Sequence, residues 1–166
     1  MTVHSETRGL VVKTCKDGLP ILWTYVPEMP EGNSRRAMPW LVVVRWDYDG
    51  SRNNGMPLSE ENHQMLLLEA ALAQIERPDF CVEVYRRIGA GRREFVYYVV
   101  DTERFLEEFN DYVAGDPRYP IEIKFYKDET WSELRDLIND LGNSSSTEPL
   151  RRRTSASGRK QTLQSD

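Results

Sequence analysis

The side chains able to carry acid–base, nucleophilic or metal chemistry are few, and their spacing is poor for it. There are two histidines, His4 and His63, and two cysteines, Cys15 and Cys81. No Gly-x-Ser-x-Gly motif occurs, and neither cysteine stands in a catalytic context. Glu60-x-x-His63 has the i, i+3 spacing of di-iron carboxylate helices, with Glu61 and Glu69 on the same segment. Such centres need a second pair of this kind and carboxylates from other helices, and the chain has neither. The pairs Glu60/Glu61 and Glu107/Glu108 lie opposite apolar stripes and read as solvated helix faces. Asp47 and Asp49 border a long loop, 47–57, where a pair could hold a cation or polarise a substrate. Ordinary turn duty for Asp competes with that reading. No catalytic residue, metal ligand or cofactor is expected.

Arginine offers more. Residues 86–101 read RRIGAGRREFVYYVVD, with Arg86, Arg87, Arg92 and Arg93 around a glycine turn. A phosphate-cradling glycine loop needs a helix after it, so that amides point at the anion. Here a strand pattern follows, so GAG reads as a hairpin turn. The four arginines are either charge protection of an edge strand or a docking point for an acidic partner. Arg45 sits in an apolar strand on the face of Leu41 and Val43, where a charge needs a partner. It serves as a structural ion pair or as a contact to an anion or partner beside Tyr97 or Tyr98. Arg45, Arg93, Tyr97, Tyr98 and Trp131 are the candidate binding residues.

The elements that place these residues follow from periodicity. WLVVVRW (40–46), CVEVYRRI (81–88), REFVYYVV (93–100) and YPIEIKFY (119–126) read as strands. Residues 57–76 read as a helix, with Ser59 as N-cap and Met65, Leu68, Leu72 and Ile75 as its buried stripe. Residues 101–113 read as a second helix, capped by Asp101 or Thr102, with Phe105, Phe109, Tyr112 and Val113 as its apolar face. The order β-α-β-β-α-β predicts an α+β, ferredoxin-like sheet over about 40–126, with 40–46 and 93–100 central and the other two strands at the edges. An added N-terminal β-hairpin, turning at Lys16-Asp17-Gly18, or a C-terminal helix over 131–141 is expected to cover the sheet's far face. That helix has Trp131, Leu134, Ile138 and Leu141 as its stripe.

Length and charge bound the rest. The chain of 166 residues fits one domain, 1–141, and a tail. Residues 142–166 are almost devoid of apolar side chains and read as a disordered basic, Ser-rich tail. Its Arg152-Arg153-Thr154-Ser155 resembles a site for a basic-directed kinase; a solubilising end is the plainer reading. The tail holds five basic and two acidic residues, a net of +3, which leaves −8 for the domain in a chain of total −5. An acidic body disfavours nucleic acid as the partner. The strand 93–100 does mimic part of an RNA-recognition signature in Phe95, Val96, Tyr97 and Tyr98, but Arg93 and Glu94 stand near where its glycines would fall. The start of the chain has no signal-peptide pattern, no run approaches about 18 apolar residues, and two cysteines fit a reducing compartment. A cytoplasmic protein with no membrane association is expected.

Several stretches together resemble the bacterial family known as domain of unknown function 695. They are LVVVRW followed by a glycine-containing loop, the helix opening GMPLSEEN with Leu68-Glu69 and Leu72 within it, the hairpin GRREFVYYVVD with Phe105 beyond it, and YPIEIKFYKDETW with Asp128 and Trp131. The resemblance runs from about Trp40 to Trp131 and implies an α+β, ferredoxin-like domain. Some members are similar, in an adjoining domain, to the ribonuclease E regulator B family, which acts by binding. The family supplies no catalytic residues to transfer. The expected function is a non-catalytic protein-binding or regulatory module. The alternatives are a small-molecule enzyme using the cleft beside 47–57 and a single-stranded RNA binder.

Overall fold

The computed structural model describes residues 9–146. Strands β1 (Leu10–Lys16) and β2 (Leu19–Tyr25) form a hairpin. Asp17 (φ 53°) and Gly18 (φ 80°) turn it, the positive-φ pair that matches the twist of a two-residue hairpin. A short helix, α1 (Gly32–Ala37), interrupts the loop 27–39. Then come β3 (Trp40–Asp47), α2 (Ser59–Ile75), β4 (Cys81–Gly89), β5 (Arg92–Val99), α3 (Thr102–Tyr112), β6 (Glu122–Lys127) and α4 (Ser132–Ser146).

All six strands lie in one antiparallel sheet, ordered β1-β2-β4-β5-β3-β6. The chain is α+β as expected, but the strand order differs from the four-stranded ferredoxin-like sheet. The segment 81–88, expected at an edge, is interior because β2 pairs along its free side, Ile21 opposite Gly89 through Tyr25 opposite Tyr85. The hairpin therefore extends the sheet instead of lying over its face. Ile21, Trp23 and Tyr25 give β2 an inward apolar row. Such a row suits a covering hairpin and a paired one equally, so the pattern alone does not fix the sheet edge.

Two apolar layers flank the sheet. α2 and α3 cover one face, where Met65, Leu68, Leu72, Ile75, Phe105 and Phe109 pack on Val42, Val44, Phe95, Tyr97 and Val99. α4 covers the other, where Trp131, Leu134, Leu137 and Leu141 pack on Trp23, Leu41, Val43, Tyr85, Val96 and Tyr98. β5 is buried on both faces, which explains its near-continuous apolar run.

The start of α2 and the end of α4 differ from expectation. Ser59 is the first helical residue of α2, and Leu58 precedes it as the cap residue; the Glu61 carboxylate accepts the Leu58 N–H at 3.4 Å. In α3, Asp101 is the cap, its carboxylate accepting from Glu103 N–H at 3.2 Å. Tyr112, expected on α3's buried face, is 44% exposed. α4 continues through Gly142 to Ser146, beyond its expected end. The rest of the expected tail, 147–166, and His4 lie outside the described residues.

Candidate functional site

Two of the expected binding residues meet beneath α4. Tyr98 of β5 and Trp131 stack with ring centroids 4.0 Å apart and planes 5° apart. Trp131 is held at φ 58°, and its indole N–H donates to Met38 C=O at 2.9 Å. The Tyr98 hydroxyl donates to Asp128 at 2.6 Å. Asp128 also accepts the Ser132 N–H and hydroxyl, each at 2.9 Å, and the Glu133 N–H at 3.0 Å. One carboxylate thus caps α4 and anchors it to the sheet, satisfying amides that a helix start leaves unpaired. Glu133, itself buried, accepts from the Tyr85 hydroxyl at 2.9 Å. Burial and the Asp128 carboxylate hold the Tyr98 hydroxyl protonated far above the usual phenol range. This constellation joins helix to sheet and leaves neither aromatic ring open.

Arg93 and Tyr97 lie on the opposite face, under α2. Glu69 of α2 accepts from Arg93 at 3.0 Å and is paired with Arg86. Arg86 also reaches Glu83 at 3.1 Å. Arg93 lies over the Phe95 ring, 4.7 Å from its centroid. Tyr97 is buried against Phe105. Three of the four arginines of the basic knot, Arg86, Arg92 and Arg93, are paired with carboxylates of their own domain. Arg92 completes it, paired with Asp47 at 2.7 Å, while Arg87 is buried over Trp23 with a guanidinium N–H on Gly89 C=O at 2.6 Å.

Glu83 in this cluster is the carboxyl with a shifted equilibrium. Burial pushes its pKa up to about 7, and Arg86 pulls only partly the other way. The folded state thus holds a proton that the unfolded chain releases near 4.5. Below that pH Glu83 costs nothing. As pH rises through the window from about 4.5 to 7 stability falls, and above 7 the loss is constant. Its side chain is 17% exposed, so the penalty is moderated by solvent. Glu83→Gln is expected to flatten the fall over that window and to raise stability at pH 8 by about 1–2 kcal/mol. Urea melts at pH 4.5, 6 and 8 read this directly; an unchanged slope would remove Glu83 as its source.

Arg45 sits at the rim of the α4 face. It donates to Glu122 at 2.6 Å and lies 3.7 Å from Asp47. It is one member of a row in direct register across five strands: Glu122, Arg45, Glu94, Arg87 and Trp23. Charge alternates along the row until Arg87 meets the indole ring. The five residues singled out from sequence therefore do not form one patch. Tyr98, Trp131 and Arg45 belong to one face, Arg93 and Tyr97 to the other, and each is engaged within the domain.

The 47–57 loop is closed onto the hairpin turn between β4 and β5. Tyr48 N–H donates to Gly91 C=O at 3.0 Å, Gly91 N–H to Gly55 C=O at 2.9 Å, and the Tyr48 hydroxyl to Gly55 C=O at 2.7 Å. Asp49 accepts from Ser51 N–H at 3.0 Å, the turn role weighed for it above. Cys81 is buried and its thiol pKa is raised by that burial, which makes it inert as a nucleophile. Glu60 and His63 are exposed on α2. Among the described residues, no group of three or more His, Cys, Asp or Glu side chains could hold a metal ion. Among the same residues, no helix is long and apolar enough to cross a membrane.

Among the described residues, β1 and β6 end the sheet and neither pairs with a further strand; the β1 edge is the one sequence reasoning passed over. The two-residue turn makes Lys16 and Leu19 a hydrogen-bonded pair, so Leu10, Val12 and Thr14 also bond toward β2. The N–H and C=O groups of Val11, Lys13 and Cys15 then point away from the sheet. No β1 or β2 side chain joins the layer under α2 and α3. Val11 is 70% and Leu22 39% exposed on that uncovered side. The one available signal was LVVK, a short apolar run closed by a lysine, as in edge strands.

A single six-stranded antiparallel sheet, packed on one face by a helix pair over β3 to β6 and on the other by a capped C-terminal helix, defines an α+β domain. The chain belongs to a family of unknown function, DUF695, whose pattern matches residues 15–138. No curated protein matches the chain.

Proposed function

We propose that this is a non-catalytic module of the bacterial cytoplasm that acts by binding another protein. The observation that carries this reading is the open edge of β1, with three outward-pointing peptide groups, beside exposed Val11 and Leu22. An unpaired strand edge is a ready template for another chain. The side chains best suited to chemistry are meanwhile spent on each other, in the Tyr98–Asp128 and Glu69–Arg93 pairs. Against the enzyme alternative stands the 47–57 loop, whose polar groups hold it to the β4–β5 turn. Against the RNA alternative stands the burial of Phe95, Val96, Tyr97 and Tyr98, which removes the stacking platform such binding needs.

The test is capture of partners by the full chain from a cell lysate divided into nuclease-treated and untreated halves, read by mass spectrometry. A protein retained in both halves is the expected result. Partners lost with nuclease, or no partner together with turnover in a metabolite screen, would overturn the reading.

A further inference from the structure

The edge of β1 also says what kind of segment it accepts. We infer that β1 takes up an extended segment of a partner protein whose residues alternate apolar and acidic, added as a seventh strand beside α4. This rests on the binding-module reading and specifies its surface.

Side chains alternate across β1. Val12 faces the α4 layer, where it and Ile138 of α4 are both half-buried, and α4 touches β1. Thr14 faces the same way, accepting from the Trp23 indole N–H at 2.8 Å. A strand laid along β1 would place every second residue against Val12 and the flank of α4, and those residues must be apolar. Its other residues would stand beside Val11, Lys13 and Cys15 on the uncovered face. β1 carries Lys13 and Lys16 and no acidic residue, on a domain of net −8 within a chain of −5. An acidic side chain opposite Lys13 is the complement.

The same lysine disfavours two nearer occupants. A second copy paired antiparallel about Lys13 would oppose two lysines. The chain's own C-terminal segment is net +3 and would bring arginines to them. Backbone bonds supply affinity in this mode, and alternate side chains supply choice.

The probe is a ten-residue peptide of alternating valine and glutamate, with a valine–lysine peptide as control, titrated into the full chain and followed by amide NMR shifts. The glutamate peptide is expected to move the Val11, Lys13 and Cys15 amides and the stretch of α4 around Ile138; the lysine peptide is not. The Lys13 N–H lies outside the β1–β2 ladder, so Lys13→Pro should leave Tm nearly unchanged and weaken peptide binding about tenfold. Lys13→Glu with Lys16→Glu should exchange the two peptides' order. Shifts confined to another surface, no shift at millimolar peptide, or equal binding of both peptides would overturn the inference. A protein partner captured from lysate while the peptide fails at β1 would refute this surface and leave the module reading standing.

Discussion

Gly89→Ala is expected to cost the fold about 3 kcal/mol or more. Gly89 closes β4 at φ 137°, a region L side chains rarely adopt. A Cβ there would fall 2.3 Å from Pro20 C=O oxygen and 2.8 Å from Ile21 Cα. Both are backbone atoms of the β1–β2 hairpin, so no side-chain rotation relieves the clash. The hairpin must move off β4, breaking the Ile21–Gly89 register and disturbing the carbonyl that receives Arg87. Gly18→Ala is the control. It too has positive φ, 80°, but nothing lies within 4 Å of its added Cβ, so strain alone of about 1 kcal/mol is expected. Chemical denaturation of the two variants should separate them by about 2 kcal/mol or more. Equal losses would mean that the hairpin does not seat against Gly89 as described.

Trp131→Ala has a comparable effect by a different route. It removes a 3% exposed indole, its stack on Tyr98 and its bond to Met38 C=O. Truncation of a buried Trp costs about 3–5 kcal/mol, which lowers Tm by about 10 °C in a domain of this size. The loss concentrates in α4, because Trp131 stands just ahead of its first turn. Hydrogen exchange should therefore quicken in α4 and over Tyr98 more than in α2. Uniform loosening of both faces would contradict the description of two separate layers.

Much of this architecture could be read from periodicity. The apolar stripe of α2 and the continuous run of β5 were legible because burial on one or both faces leaves a pattern in a single segment; in α4 the stripe was read one residue off at one step, Leu137 being the buried residue and Ile138 half-buried. The Asp17-Gly18 turn was legible because a two-residue hairpin demands positive φ at both positions. The sheet edge was not. Strand neighbours are set by hydrogen bonds that any backbone can make, so β2's partnership with β4 leaves no mark beyond an inward row. Pairing of charges was hidden for the same reason. The sequence marks Arg93 and Glu69 as ionic but cannot say that α2 brings them within 3.0 Å. Residues chosen as open contacts thus proved to be internal partners, and one edge of the sheet fell on β1, whose lysine and valines looked ordinary.

We propose the exposed edge of β1 as the working surface. The most direct measurement is calorimetric titration of the partner captured in the pull-down into the wild-type chain and into Lys13→Pro, with Tm recorded for both. An affinity about tenfold weaker in the variant at nearly equal Tm is expected. Equal affinity in the two chains would contradict it.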